Sequence, residues 1–324
     1  MNNELHQEFL KVIDLLINKK LKENPKIELI IYGGSVARGD ETEHSDIDIG
    51  FYCKKKYLPK FTRGFYKFKG KFIEEIFHPI EEFSKDEILD ENVVAYDKYG
   101  LLKNRKFKSE KEKINNFNKE LKKAKKFQKI AIDYFNKKDY EKSVYHILGC
   151  EAFSYLMAMA LPARLGLPYP SFRLFESIKK IDKELYNIWI KLFNIENFDQ
   201  KNILKDYEKA YMIMNKCYKN KNPKEKNLGF YDIIKIKYNI ECLNFTFNNY
   251  PKEYSLKFII ECLIDWSFGE KDLWTLKTNQ KYNIEIIKIA KSILGIKEFD
   301  EKFAKEKLNI LIKIEKRIDE LKKY

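Results

Sequence analysis

Residues 29–51 read LIIYGGSVARGDETEHSDIDIGF, and this stretch decides how the rest of the chain is read. The β-branched run that ends at Tyr32 is punctuated by Gly33-Gly34, the pattern of a buried strand that turns sharply. A short helical turn over Val36–Arg38 and a polar loop follow, and Asp46-Ile47-Asp48 opens a second strand. Side chains two apart on a strand point the same way, so Asp46 and Asp48 project from one face. Two converging carboxylates either repel or share a divalent cation. Mg2+ suits them, because it takes oxygen ligands and is commonly shared with substrate phosphates. The Gly-Gly-Ser bend lets backbone N–H groups approach a phosphate, with the Ser35 hydroxyl as a further donor and a helix start behind it. A phosphate cradle beside a metal clamp is equipment for phosphoryl or nucleotidyl transfer.

Periodicity extends the reading outward. Upstream, Phe9, Leu10, Val12, Ile13, Leu15, Leu16 and Leu21 form a helical stripe over Glu4–Lys22, and Lys26–Tyr32 is the first strand. Downstream, Ile47–Tyr52, Phe72–Phe77 and Val93–Tyr96 are further strands, and a turn near Lys98 and Gly100 closes a small mixed domain near residue 105. The stretch Tyr52–Lys71 interleaves Tyr and Phe with Lys, which fits a twisted β-hairpin on a basic surface or a single-stranded nucleic-acid contact. Beyond it the pattern turns helical over Ser109–Phe135, Tyr140–Leu161, Ser171–Phe193 and Asp199–Lys219, broken by Gly166, Pro168 and Pro170. The polar segment Asn220–Asn227 reads as a linker. Tyr231–Asn248, Ser255–Trp266, Tyr282–Leu294 and Glu301–Lys323 again read as helices. The expected architecture is α+β: a small mixed-sheet domain with helices on one face (1–105), a helical bundle (106–221) and a C-terminal helical region (222–324).

Composition narrows the class. With 324 residues, 35% of them charged and 44% hydrophobic, the chain is too long for one ordinary core and too apolar for disorder. Its longest uncharged apolar run, Ala152–Leu161, is about half a membrane span. The opening MNNELHQEFL reads against a secretory signal. The cysteines Cys53, Cys150, Cys217, Cys242 and Cys262 lack CxxC spacing, as expected of buried free thiols in a cytoplasmic chain. The net charge of +14 is concentrated: Tyr52–Lys71 holds eight basic residues and no acid, and Lys103–Lys129 holds twelve against three. Such a distribution suits either a rim that attracts polyphosphate or nucleic acid, or a Lys-rich, heat-adapted composition.

The segment GGSVARGDETEHSDIDIGF resembles the signature of the DNA polymerase β-like nucleotidyltransferase superfamily. That signature is Gly-Ser, a spacer, then Asp-x-Asp; the spacer here is the ten residues between Ser35 and Asp46, and Arg38-Gly39 and Ser45 match as well. The minimal and aminoglycoside-type (kanamycin nucleotidyltransferase-like) members look nearest, since a helical domain directly follows a short catalytic one. The resemblance implies transfer of a nucleoside monophosphate, AMP from ATP, to an acceptor hydroxyl with release of pyrophosphate, through two Mg2+ ions or Mn2+ in their place. It implies Asp46 and Asp48 as metal carboxylates, the triphosphate over Gly33, Gly34 and Ser35, and Arg38 and Ser45 as further nucleotide contacts.

The family places a third carboxylate on a neighbouring strand, where KFIEEIFHP offers Glu74 and Glu75 on opposite faces. Parity alone leaves the two open; Glu74 is preferred for its distance to the following Pro79-x-Glu-Glu stretch. Tyr145–Phe175 resembles the helical domain of the aminoglycoside-type members, which makes Glu151 the matching acceptor-side base; the other reading is a surface glutamate paired with lysine. Arg173 holds a phosphate or anchors its turn. The implied acceptor is a small molecule or a protein hydroxyl. The alternatives are an RNA end held by the basic segments and a non-catalytic nucleotide-binding module of the same fold, and a homodimer is also compatible with the sequence.

Overall fold

Five strands, β1 (Ile27–Tyr32), β2 (Asp46–Cys53), β3 (Arg63–Phe68), β4 (Lys71–Pro79) and β5 (Val93–Asp97), assemble in the order β3-β4-β2-β1-β5. β2 and β4 run parallel and the other neighbours antiparallel, so the sheet is mixed. The computed structural model describes residues 3–83, 92–103, 110–151, 174–219, 226–250, 252–255, 288–289, 291–292 and 298–321. The sheet belongs to the first of two units, Met1–Lys108 with Lys221–Cys242; the second comprises Ser109–Asn220 and Leu243–Tyr324.

One face of the sheet is closed by α1 (Asn3–Glu23). Phe9, Val12, Ile13, Leu16 and Ile17 recur at helical spacing and pack on Ile30, Ile47, Ile49, Phe51, Ile73 and Phe77. Fully burying such a side chain contributes roughly 1.5–3 kcal/mol, so this layer holds the unit together. Strand alternation then leaves Asp46, Asp48, Gly50 and Tyr52 of β2, and Glu74, Ile76 and His78 of β4, on the opposite face. The segment Tyr52–Lys71 contains β3 and the turn into β4, where Lys69 and Gly70 take φ of 48° and 87°. β3 is an edge strand, and exposed Arg63 and Lys67 keep it from pairing with a further strand.

The second unit is helical in its described residues: α3 (Glu110–Asn136), α4 (Tyr140–Tyr145), α5 (Leu174–Ile181), α6 (Lys183–Leu192), α7 (Gln200–Lys219) and α9 (Glu301–Leu321). Helix α8 (Lys226–Asn249) begins inside the expected linker and belongs to the first unit as far as Cys242. The single helix expected over Ser171–Phe193 is two. Asp182 is extended, with φ −155°, and its carboxylate accepts from the Leu185 N–H at 2.7 Å, which caps α6. The apolar stripe of Ile178, Leu185, Trp189 and Leu192 runs across that break, which is why the pattern alone reads as continuous. The helix expected from Tyr140 passes into a π-helical turn over His146–Glu151. Residues 152–173, with Arg173, and the helix expected beyond Ser255 lie outside the described residues, as does most of Tyr282–Leu294. Among the described residues, Cys53 and Cys242 are buried free thiols, and no helix is long and apolar enough to cross a membrane.

Candidate active site

Strand register decides which glutamate joins the aspartates. In the parallel β2–β4 pair, Asp48 lies opposite Glu74 and Ile49 opposite Glu75. Glu74 therefore shares a face with Asp46 and Asp48, while Glu75 turns toward α1. There its carboxylate meets Lys20 Nζ at 2.6 Å and accepts from the Tyr66 hydroxyl at 2.7 Å. Burial, and then the negative charge of Glu75, push the Tyr66 hydroxyl pKa well above its usual range.

Asp46, Asp48 and Glu74 offer carboxylate oxygens that all lie within 4.8 Å of one another. At an effective dielectric of about 20, charges that close repel by roughly 3 kcal/mol per pair, so the trio needs positive charge. Oxygens that share one octahedral Mg2+ stand roughly 3–4 Å apart, a spacing that small side-chain adjustments reach from here. The all-oxygen donor set suits Mg2+ or Mn2+ and not a thiophilic metal.

The bend after β1 is built around the same carboxylates. The Gly33 N–H donates to the Asp48 carbonyl at 2.9 Å, tying the bend to β2. Gly34 has φ of 68°, and a Cβ there would overlap Asp48 Oδ2 and stand 3.2 Å from its Cγ. A Cβ on Gly33 would overlap Asn92 Nδ2. Both positions thus exclude a side chain because the backbone passes close to neighbouring polar groups. A cleft of about 240 Å³ opens here, lined by Gly33, Gly34, Asp48, Gly50, Glu74 and Asn92, and it continues to Tyr52 and His78. Those two rings stack with centroids 4.9 Å apart.

The remaining residues singled out in the sequence fall differently. Ser35 is the second residue of the short helix α2 (Gly34–Arg38), at the bend itself. Arg38 pairs with Asp40 at 3.3 Å, and the Ser45 hydroxyl accepts from the Thr42 N–H at 2.9 Å, closing the loop before β2. None of Ser35, Arg38 and Ser45 is among the residues that line the cleft. Glu151 ends the π-helical turn of the second unit, and its side chain is outside those described.

Three residues at the trio escape sequence reasoning. Lys235 Nζ lies 3.4 Å from Asp46 Oδ2 and 3.1 Å from Glu74 Oε2. The buried Tyr238 hydroxyl donates to Asp46 Oδ1 at 3.1 Å, and Arg63 Nη2 donates to Glu74 Oε1 at 2.6 Å. Tyr238 packs on Phe72 and Phe65, with centroids 5.0 and 5.3 Å away, and the Cys242 thiol reaches the His44 carbonyl at 3.5 Å. Lys235, Tyr238 and Cys242 are three and then four apart, one stripe of α8. A lysine in line with buried positions was the available signal, but IKIKYN offers two lysines and no means of choosing.

Residues 16–99 match the family model described as Polymerase beta, Nucleotidyltransferase. The chain carries a DNA polymerase β-like nucleotidyltransferase domain. The matched residues of this nucleotidyltransferase domain run from within α1 to just past β5 and include the whole acidic trio. The family uses a divalent metal, and the trio of the nucleotidyltransferase domain could hold one. No curated protein sequence matches the chain.

Proposed function

We propose that the chain is a nucleotidyltransferase that moves the nucleoside monophosphate of a nucleoside triphosphate, AMP from ATP, onto an acceptor hydroxyl and releases pyrophosphate. The supporting observation is the convergence of Asp46, Asp48 and Glu74 within 4.8 Å beside the Gly33-Gly34-Ser35 bend. Asp46, Asp48 and Glu74 would hold Mg2+ or Mn2+, which when bound neutralises phosphate charge and activates the attacking hydroxyl. The chain's own residues position the reactants. The bare backbone of the bend admits a triphosphate close to Asp48, the Ser35 hydroxyl adds a donor, and Gly50 keeps the cleft floor open. Positioning and fixed charge, with no covalent enzyme intermediate, are what phosphoryl-type transfer asks of a protein.

The acceptor in this reading is a hydroxyl of a small molecule or of a protein. A nucleic-acid end is the second reading, favoured by one corner of the sheet domain. Tyr57 and Phe61 are 36% and 40% exposed there, and Lys56 and Lys60 lie 5.0 and 5.4 Å from their ring centroids. Exposed rings edged with positive charge can stack on unpaired bases. The test is incubation with α-labelled ATP, Mg2+ and acceptor panels of each kind. Label transfer and pyrophosphate release are expected from the wild type and neither from the Asp46→Asn, Asp48→Asn double variant; release that persists in the variant refutes the proposed site. RNA labelling that weakens steeply with salt selects the second reading.

A further inference from the structure

Both oxygens of Asp46 and both oxygens of Glu74 are engaged by side chains of the first unit. Asp46 takes Tyr238 on Oδ1 and Lys235 on Oδ2; Glu74 takes Arg63 on Oε1 and Lys235 on Oε2. The Lys235 ammonium bridges the two carboxylates, the placement a shared divalent cation requires. We propose that Lys235 is a built-in counter-cation of the acidic trio, so that a divalent metal binds there in competition with the α8 segment carrying Lys235 and Tyr238. The inference rests on the trio being the metal site of the proposed transferase.

The surroundings fit a seated, displaceable plug. Lys235 stands 4.7 Å from the Phe65 ring centroid and 5.2 Å from that of Tyr238, so its charge is held by aromatic faces as well as by carboxylates. Tyr238 anchors the same stripe between Phe65 and Phe72, and Cys242 ties its far end to the His44 carbonyl, in the loop that leads into Asp46. A cation entering between Asp46 and Glu74 meets the Lys235 charge within hydrogen-bond reach of the same oxygens. Unless the lysine withdraws, two positive centres share one pair of ligands. Withdrawal gives up charge-assisted hydrogen bonds, each worth about tenfold to a hundredfold in an equilibrium, and metal affinity is lowered by that factor.

The experiment is Mn2+ titration of the full chain, followed by electron paramagnetic resonance of the free ion, with thermal melting in EDTA and in Mn2+. Lys235→Met is expected to bind Mn2+ at least tenfold more tightly than the wild type, to melt lower in EDTA where the trio is left less neutralised, and to recover in Mn2+. Lys235→Arg keeps the charge and is expected to stay near wild-type affinity. Amide exchange in the peptide containing Lys235 and Tyr238 is expected to quicken when Mn2+ is added to the wild type. Lys235→Met that binds Mn2+ no more tightly, with binding still abolished by Asp46→Asn, overturns the counter-cation role and leaves the metal site standing. Binding indifferent to Asp46→Asn, Asp48→Asn and Lys235→Met alike overturns both.

Discussion

Substituting Gly34 by alanine tests whether the bend and the carboxylates form one construction. Gly34 sits at φ of 68°, where any residue with a Cβ pays roughly 1–2 kcal/mol for the left-handed backbone. That strain alone does not distinguish a site from a turn, and Gly70 supplies the control. It has φ of 87°, and a Cβ there has nothing within 4 Å, so Gly70→Ala carries the strain without a collision. At Gly34 the new methyl overlaps Asp48 Oδ2, and the carboxylate must retreat by about 1 Å to restore an ordinary contact. A displacement of that size in a reacting constellation costs on the order of a hundredfold in rate. Urea unfolding of both variants is expected to show losses of about 1–2 kcal/mol. Only Gly34→Ala is then expected to bind Mn2+ at least tenfold more weakly and to lose about a hundredfold in pyrophosphate release. Equal metal affinity in Gly34→Ala and Gly70→Ala would refute the reasoning, because the bend would then be a turn that merely passes near Asp48.

Two further outcomes follow from individual contacts. The raised pKa of the Tyr66 hydroxyl means that its stabilising contribution is whole below pH 10, the unfolded value, and is lost as pH climbs from there toward the folded value. Tyr66→Phe is therefore expected to melt below the wild type at pH 8 and to close that gap above pH 10; a gap constant across the series contradicts the assignment. In the second unit, Asp182 caps α6 and receives Arg317 Nη2 at 2.6 Å. Asp182→Ala is expected to cost about 0.5–2 kcal/mol in urea unfolding through the lost cap alone, and Asp182→Asn, which keeps the cap, is expected to cost less. Equal costs would show that the cap adds nothing beyond the ion pair, and an Asp182→Asn variant as stable as the wild type would show that the ion pair adds nothing to the cap.

Local features of the chain were legible and relational ones were not. The Gly33-Gly34 bend, the alternation around Asp46 and Asp48 and the stripe of α1 are each written within a few residues. β3 was harder. In RGFYKF only Phe65 is buried, so the strand reads as surface, and its identity depends on β4 beside it. The break at Asp182 is hidden because the apolar stripe crosses it, and only the side-chain hydrogen bond to Leu185 reveals a cap. The choice between Glu74 and Glu75 is one of register between strands, a quantity that neither strand carries alone. Lys235 is 161 residues from Glu74 and is one of 63 basic residues, so its place at the trio has no local mark.

Register also ties the acidic trio to groups that never touch it. A slip of β4 by one residue against β2 would bring Glu75 beside Asp48 and drive Glu74 into the apolar layer under α1. Both strands offer acids and apolar residues at the needed intervals, so hydrophobic burial alone discriminates weakly between the two pairings. The ion pair of Lys20 with Glu75 at 2.6 Å and the Tyr66 hydrogen bond to the same carboxylate break that near-degeneracy. They give Glu75 a satisfied partner set only when it faces α1, and slipping would strand the Lys20 charge among the Phe51, Tyr66 and Phe77 rings it now borders. The contacts that keep Glu74 among the metal-competent carboxylates thus lie on the far side of the sheet, where α1 meets β3 and β4.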